Sequence, residues 1–341
     1  MAKVKVLVHG FGNIGKRVAW AVLKQDDMEL IGIANRSINT NIRSMFSLPE
    51  FKNVPIYAST PESLEKMKQE PFLNIAGTLE DALKEADVVV DALPAGTEVN
   101  YKPIYEKNGV KQIYQGGAEA NVAEVSFTAI ANYEKALDRN SVRVVSCNTT
   151  SLARTLFALE SNFGLEEAFV VLVRRAVDPD DDKGGPVNAT VPETHLPSHH
   201  GPDLQTVLPV NITTVAVKVP VTLTHVHVVN VKLKKEVSID AVLSAFKSDK
   251  RIKLFDSSLG YTSTAKIMEH FRDFRERGDM YEVAVWKDSI NVNGNRVLWM
   301  HAVHSEAIVI PENIDAIRAI TAIEKDKFKS IEKTNQSLGI L

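Results

Sequence analysis

The chain has 341 residues, enough for about two domains. Apolar residues make up 44% and charged residues 24%, an ordinary globular composition, and a net charge of −3 with no basic block offers nothing for nucleic acid or an anionic membrane. No apolar run reaches the roughly 18 residues of a membrane span. Cys147 is the only cysteine, so an internal disulfide is excluded and a reducing compartment, the cytoplasm, is expected. The first residues lead straight into a strand, which speaks against a signal or transit peptide.

Lys3 to Val8 is predicted as a β-strand, and Lys16 to Lys24 as a helix with Val18, Ala21 and Val22 on one face. Between them lies Gly10-Phe11-Gly12-Asn13-Ile14-Gly15. In this context the glycines serve a tight turn, the approach of backbone to a pyrophosphate, and close helix–strand packing, with the phosphates on the helix N-terminus. A glycine motif alone is also compatible with a purely structural turn. Met28 to Ala34 is the second strand. An NAD site usually ends it with Asp or Glu, which bonds the ribose 2′-hydroxyl. Here Ala34-Asn35-Arg36-Ser37 carries a cation and no acid, which favours the 2′-phosphate of NADP; a solvated loop arginine is the alternative.

Asn39 to Ser59 reads as loops and a short helix, and Pro61 to Gln69 and Thr78 to Glu85 as surface helices. Asp87 to Ala92 is a buried strand leading into Pro94-Ala95-Gly96, a loop expected at the cofactor edge of a parallel sheet. Ile113 to Gly117 is a strand with a glycine exit, and Val142 to Ser146 completes the series. Alternating strands and helices predict a doubly wound, Rossmann-type α/β domain over residues 1–146.

Cys147 follows an apolar run that reads as a strand end. Ser-Cys-Asn-Thr-Thr then reads as a cap, and Ser151 to Leu159 as the helix it opens. A thiol at a helix N-terminus feels the positive end of the dipole, which favours thiolate and suits a nucleophile. A buried, inert cysteine is the alternative, and the polar flanks argue against it.

Beyond Cys147 the strands lengthen and alternate: Phe169 to Ala176, Thr213 to Val219, His225 to Leu233, Glu282 to Lys287 and Val297 to Val303. Helices are fewer, at Ile239 to Lys247 and Thr264 to Glu276. An α+β catalytic domain with a mixed, mostly antiparallel sheet is predicted for residues 147–310. Asp178 to Gly185 is a surface loop. Pro311 to Asn335 reads as one long helix with Ile314, Ile317, Ile320 and Ile323 on a stripe, so residues 311–341 are expected to dock back on the first domain.

A thiolate nucleophile needs a proton acceptor. His225 and His227 alternate on one strand and share a face. His-x-His is also a metal-ligand spacing, but the chain offers no convincing third and fourth ligand, so no metal is expected. Satisfied sheet histidines are the third possibility. Arg174-Arg175 ends a buried strand, where only one of the two side chains faces a given cleft if the strand is regular. An arginine with His199-His200 and the hydroxyl of Thr149 would make a phosphate site; a salt-bridged arginine pair is the alternative.

Taken together the chain resembles the archaeal-type (class II) glyceraldehyde-3-phosphate dehydrogenases over nearly its whole length. The resemblance rests on Gly10-Phe11-Gly12-Asn13-Ile14-Gly15-Lys16-Arg17-Val18, Gln115-Gly116-Gly117 and Val144-Val145-Ser146-Cys147-Asn148-Thr149-Thr150. It continues through Arg174-Arg175-Ala176, Pro197-Ser198-His199-His200, His225-Val226-His227 and Ile310-Pro311-Glu312-Asn313-Ile314-Asp315-Ala316-Ile317-Arg318. It implies phosphorylating oxidation of glyceraldehyde 3-phosphate to 1,3-bisphosphoglycerate with inorganic phosphate and NAD or NADP, in glycolysis or gluconeogenesis, by a cytoplasmic homotetramer. Cys147 matches the nucleophile and His225 the general base. Ser146 and Asn148 flank the thiol, and His199 and His200 match the substrate-phosphate region. Asn13 and Ile14 match the pyrophosphate turn, and Gly117 lies along the cofactor. Arg174 is placed with substrate phosphate and Arg175 nearer the cofactor. Family members carry glutamine where this chain has Ser305, at the nicotinamide end, and a lysine near Asn35-Arg36, where the cation is kept but shifted. Two rivals stand beside this reading: an NADP-dependent semialdehyde dehydrogenase, whose substrate carboxylate an arginine would clamp, and a non-catalytic dinucleotide sensor, which needs no thiol at a helix start.

Overall fold

Strands β1 (Val4–His9) and β5 (Val88–Asp91) form the centre of the first sheet. Val6, Leu7, Val8, Val88, Val89 and Val90 are fully buried, as unbroken apolar runs must be in a parallel sheet covered on both faces. The computed structural model describes residues 2–71, 73–115 and 117–341, and Gly116 of the expected strand exit lies outside them. β2 (Met28–Asn35), β3 (Ile56–Ala58) and β4 (Ile75–Thr78) extend the sheet one way. β6 (Lys111–Tyr114), β7 (Val125–Phe127) and β8 (Ser141–Val144) extend it the other way. The order is β4-β3-β2-β1-β5-β6-β8-β7, and every pairing is parallel. This is the expected doubly wound fold. Its order reverses between β1 and β5, where such sheets open a crevice for ligands.

The turn after β1 lies at that point. Gly10 has φ +92°, and a Cβ there would meet the Ala92 backbone at 2.8 Å, so the turn packs directly on the exit of β5. A Cβ on Gly15 would fall 1.8 Å from the Gly10 carbonyl oxygen, so helix Asn13–Leu23 rests on the turn itself. Sequence reading missed β3, β4, β7 and the helix Glu98–Lys107, all short or carrying Pro103. The expected C-terminal helix is two, Ile310–Thr321 and Lys327–Leu338. Ala322 takes φ +54°, which ends the first, and the Asp326 carboxylate accepts from Phe328 and Lys329 N–H to start the second.

The chain divides into two compact units, one running to Ser146 and including Ile310–Leu338, the other spanning Cys147–Val309 with Gly339–Leu341. In the first, buried Arg318 of helix Ile310–Thr321 bonds Asp27 at 2.8 Å, Gln25 at 2.7 Å and Thr334 at 2.6 Å.

The second unit holds β9 (Leu165–Val177), β10 (Val191–Pro192), β11 (Ile212–Thr222), β12 (Thr224–Leu233), β13 (Ile252–Phe255), β14 (Val283–Trp286), β15 (Asn291–Asn293) and β16 (Arg296–His304). Their order is β10-β11-β9-β12-β16-β14-β13, with β15 on β16. Only β9/β11 and β13/β14 run parallel, so the sheet is mixed and mostly antiparallel, as expected. Helix Cys147–Phe163 packs against β9, β12 and β16. On the side facing away from the buried positions of β12, Phe169, Leu298 and Met300 are exposed, beside Val171 and Val228 in register.

Candidate active site

Helix Cys147–Phe163 begins at Cys147 itself, not at Ser151. Asn148, Thr149 and Thr150, which read as part of the cap, are buried helix residues. Ser151 Oγ–H donates to the Asn148 carbonyl at 2.8 Å, and Thr149 Oγ1–H donates to Asp203. Internal partners thus absorb hydroxyls that in isolation favour a cap. Cys147 is therefore the first residue of the helix, where the N–H groups have no helical partner.

Cys147 Sγ lies 3.5 Å from His225 Nε2. His225 Nδ1 accepts from the Arg175 N–H at 3.0 Å, which aims Nε2 at the sulfur. The thiol keeps a limited opening to the surface, yet protein crowds it closely. That burial raises its pKa above the ordinary thiol value, while Arg175, Arg174 and the N–H groups of Asn148 and Cys147 pull it down. The expected lowering by the helix start is real but is outweighed by desolvation. Burial, followed by Arg175 and Arg174, holds the His225 imidazole well below the ordinary histidine value, so the ring is neutral near pH 7.

Arg174 pairs with Glu193, whose other oxygen lies 3.7 Å from His199 Nδ1. Arg175 pairs with Asp178 instead, at 2.5 Å. The Nε atoms of both arginines are buried and make no hydrogen bond, and neither does Ser305 Oγ. His199 is exposed and stacks on buried His200 at 3.9 Å between ring centroids. Glu193, His199 and His200 bring possible metal-ligand atoms within 4.8 Å of one another. Glu193 is already held by Arg174, however, and both His200 nitrogens face partners, Asn148 at 3.5 Å and Ser198 at 3.1 Å. His227 is fully buried and faces Asn148, Ser151 and His301, away from Cys147 chemistry. Glu193, Asp203 and His301 escaped the sequence reading, and Ser198 entered it only as part of the Pro197-Ser198-His199-His200 motif, with no role assigned. His301 left a trace there: it sits at an alternating position of β16, directly opposite His227.

In the first unit the residues present fit a dinucleotide. Gly12 precedes the helix with no side-chain cap and no acid in the first turn, and a Cβ there would meet nothing within 4 Å. This leaves open space in front of the N–H groups of the helix start, the kind of site at which a pyrophosphate binds. Asn13 and Ile14 form the first turn, and Gly117 takes φ +91° after β6. Asn35, at the position of the usual acid, turns inward: its Oδ1 accepts from Phe11 N–H at 3.2 Å and its Nδ2 donates to Ser37 O at 2.6 Å. Lys16 donates to Asn41 at 2.8 Å and Arg17 to the Asn13 carbonyl at 2.9 Å. Arg36 is exposed at the end of β2 and is in no ion pair among the described residues.

A Rossmann-type unit with an open glycine turn, and an α+β unit with a cysteine–histidine pair, define a thiol-dependent, NAD(P)-using oxidoreductase. Residues 146–289 match the glyceraldehyde 3-phosphate dehydrogenase C-terminal domain. The whole chain is similar to the glyceraldehyde-3-phosphate dehydrogenases of Thermococcus kodakarensis, 52% identical over 342 residues, and Pyrococcus abyssi, 51% over 340, with 99% of each chain covered. It is also 48% identical over 343 residues to glyceraldehyde-3-phosphate dehydrogenase 1 of Methanosarcina barkeri, covering 100% of this chain and 99% of that one. The chain belongs to the glyceraldehyde-3-phosphate dehydrogenase family. No helix among the described residues is long and apolar enough to cross a membrane.

Proposed function

We propose that the protein oxidises D-glyceraldehyde 3-phosphate with inorganic phosphate to 1,3-bisphosphoglycerate, reversibly, in glycolysis or gluconeogenesis. The observation that carries this reading is the thiol of Cys147 at a helix start, 3.5 Å from His225, in a chain about half identical to named family members. Residues 1–146 are read as the cofactor domain, residues 147–310 as the catalytic domain, and residues 311–341 as a segment docked on the first.

The bound dinucleotide supplies a hydride acceptor at its nicotinamide. Cys147, as thiolate, adds to the aldehyde carbon and forms a C–S bond; the oxygen of this hemithioacetal faces His225 Nε2. Loss of the hydroxyl proton to His225 releases the hydride from carbon and leaves a thioester. Phosphate then attacks the thioester carbonyl, the C–S bond breaks, and the thiolate returns as the acyl phosphate leaves. Backbone N–H groups after Cys147 stabilise the tetrahedral oxyanion. The Arg175 N–H sets a condition on this cycle. While it bonds Nδ1, the neutral ring carries its hydrogen on Nε2 and can only donate. Base action at Nε2 requires Nδ1 to leave that bond and take the hydrogen.

Arg174 and His199, which share Glu193, are assigned to substrate phosphate, with Ser146, Asn148, Thr149 and His200 lining the substrate site. Gly10, Gly12, Asn13, Ile14, Gly15, Gly117, Arg175 and Ser305 are assigned to the cofactor. The free guanidinium of Arg36 favours NADP over NAD. A lone thiol fits the cytoplasm. The apolar outer sheet face, in rows Phe169-Asn230-Leu298 and Val171-Val228-Met300, supports self-association into a homotetramer. Steady-state assays with both dinucleotides, with and without phosphate, test the reading. Activity that ignores phosphate, or that prefers aspartate semialdehyde, would count against it.

A further inference from the structure

Asn148 follows Cys147 in the first turn of the helix and is buried. Its Oδ1 lies 2.9 Å from His227 Nε2 and its Nδ2 lies 3.5 Å from His200 Nε2. The orientation of an amide or an imidazole is decided by its partners, and here the chain of partners ends on both sides in groups that have no choice.

At one end, Trp299 Nε1–H can only donate, and it reaches His301 Nδ1 at 3.1 Å. Neutral His301 therefore carries its hydrogen on Nε2, which meets His227 Nδ1 at 3.0 Å. His227 accepts there, so its own hydrogen is on Nε2 and is donated to Asn148 Oδ1. Ser151 Oγ, 3.2 Å from the same Nδ1, has its hydrogen committed to the Asn148 carbonyl. At the other end, the Ser198 carbonyl can only accept, and Thr214 Oγ1–H donates to it at 2.9 Å. Thr214 Oγ1 then accepts from Gly201 N–H at 3.0 Å and from Ser198 Oγ–H at 2.8 Å. Ser198 Oγ in turn accepts from His200 Nδ1–H at 3.1 Å, which leaves His200 Nε2 bare toward the Asn148 amide nitrogen. The two ends independently demand one orientation of Asn148. Every side chain in the chain is at most 3% exposed.

We propose that Trp299, His301 and His227 are positioning residues for the reaction: they sustain a one-directional hydrogen-bond chain that locks the Asn148 amide beside Cys147 and fixes His200 with Nε2 as an acceptor. The proposal rests on Cys147 as the nucleophile. It leaves the cationic contact with an anionic substrate to Arg174, with exposed His199 beside it, because His200 has no N–H to offer outward. Burial holds all three rings below the ordinary histidine value, and the charged or titratable groups acting on His227 and His200 are His301, His225, His199 and Arg174, with His200 itself acting on His227. The carboxylate placed near these rings, Glu193 within 4.8 Å of His200, is held in an ion pair with Arg174.

The test uses the full-length protein labelled with 15N-histidine. NMR should show His200, His227 and His301 neutral from about pH 5 to 9, with the hydrogen on Nδ1 of His200 and on Nε2 of the other two. Titration of any of the three in that window, or the opposite tautomer at His200 or His227, overturns the proposal. This readout does not depend on turnover, so it fails separately from the functional reading. Kinetics give the second arm. His227→Gln keeps one donor and one acceptor and should hold kcat within about fivefold, whereas His227→Leu should lose roughly 10- to 100-fold in kcat with little change in dinucleotide KM. Equal losses in the two variants would show that only side-chain volume matters there, and would contradict the chain.

Discussion

The glycine turn after β1 and the thiol at the start of helix Cys147–Phe163 are both strand-to-helix junctions, but they are held in different ways. The turn is nearly self-sufficient: Gly10 and Gly15 touch each other, and Asn35 and Asn39 from the next crossover bond Phe11. The thiol junction depends on partners far along the chain. His225 lies 78 residues from Cys147, and the His227–His301 pair behind it is 74 residues apart. A binding turn can be written into one short stretch because its ligands are backbone N–H groups. A reactive thiol needs side chains of defined tautomer, and only a sheet in register supplies them.

The sharpest break of this comparison is chemical. Cys147→Ser should retain the fold and dinucleotide binding yet lose at least roughly 100-fold in turnover, because an alcohol is a far weaker nucleophile near neutral pH. A variant keeping more than about a tenth of the wild-type rate would sink the thiol mechanism.

Acid should separate the two units next. Burial lowers His200 and His301 to about 3, and His225 and His227 well below 6.5, all in the second unit; in the first unit only His9, at about 3, is so shifted among the described residues. Each folded value lies below the unfolded 6.5, so the stability these rings contribute is present above that pH and is lost as pH falls toward 3. At about pH 4.5 the neutral rings of His200 and His301 each cost up to about 3 kcal/mol. Hydrogen-exchange protection should therefore drop in β12 and β16 before it drops in β1 and β5; the reverse order would contradict the account.

Two smaller effects probe the cofactor side. Arg36→Ala should raise the KM for NADP roughly 10- to 100-fold and leave that for NAD nearly unchanged, since a charge-assisted hydrogen bond to the 2′-phosphate is worth about 1.5–3 kcal/mol. A parallel change in both, or none, rules Arg36 out as the discriminating residue. Gly12→Ala places a methyl in open space, so thermal stability should hold while dinucleotide affinity falls about 10-fold, because the methyl occupies the pyrophosphate approach. Lost stability with intact affinity would mean that Gly12 serves packing.

The same contrast explains what could be read in advance. The Rossmann-type order, the mixed second sheet and the long strands around His225 follow from apolar period and glycine placement, which are local signals. Asn148, Thr149 and Thr150 misled as cap residues, because Asp203 takes the Thr149 hydroxyl and the helix starts earlier than propensity suggests. The break at Ala322 was hidden within a continuous isoleucine stripe. The upward shift of the Cys147 thiol was unreadable too, since desolvation is set by everything packed around the sulfur and not by its position on the helix.

The most direct measurement is a phosphate-free burst. Enzyme mixed with glyceraldehyde 3-phosphate and saturating dinucleotide should release one reduced dinucleotide per Cys147, then stall as the thioester accumulates. Adding phosphate should restart turnover. Absence of the burst, or steady turnover at full rate without phosphate, would contradict a phosphorylating mechanism through a Cys147 thioester.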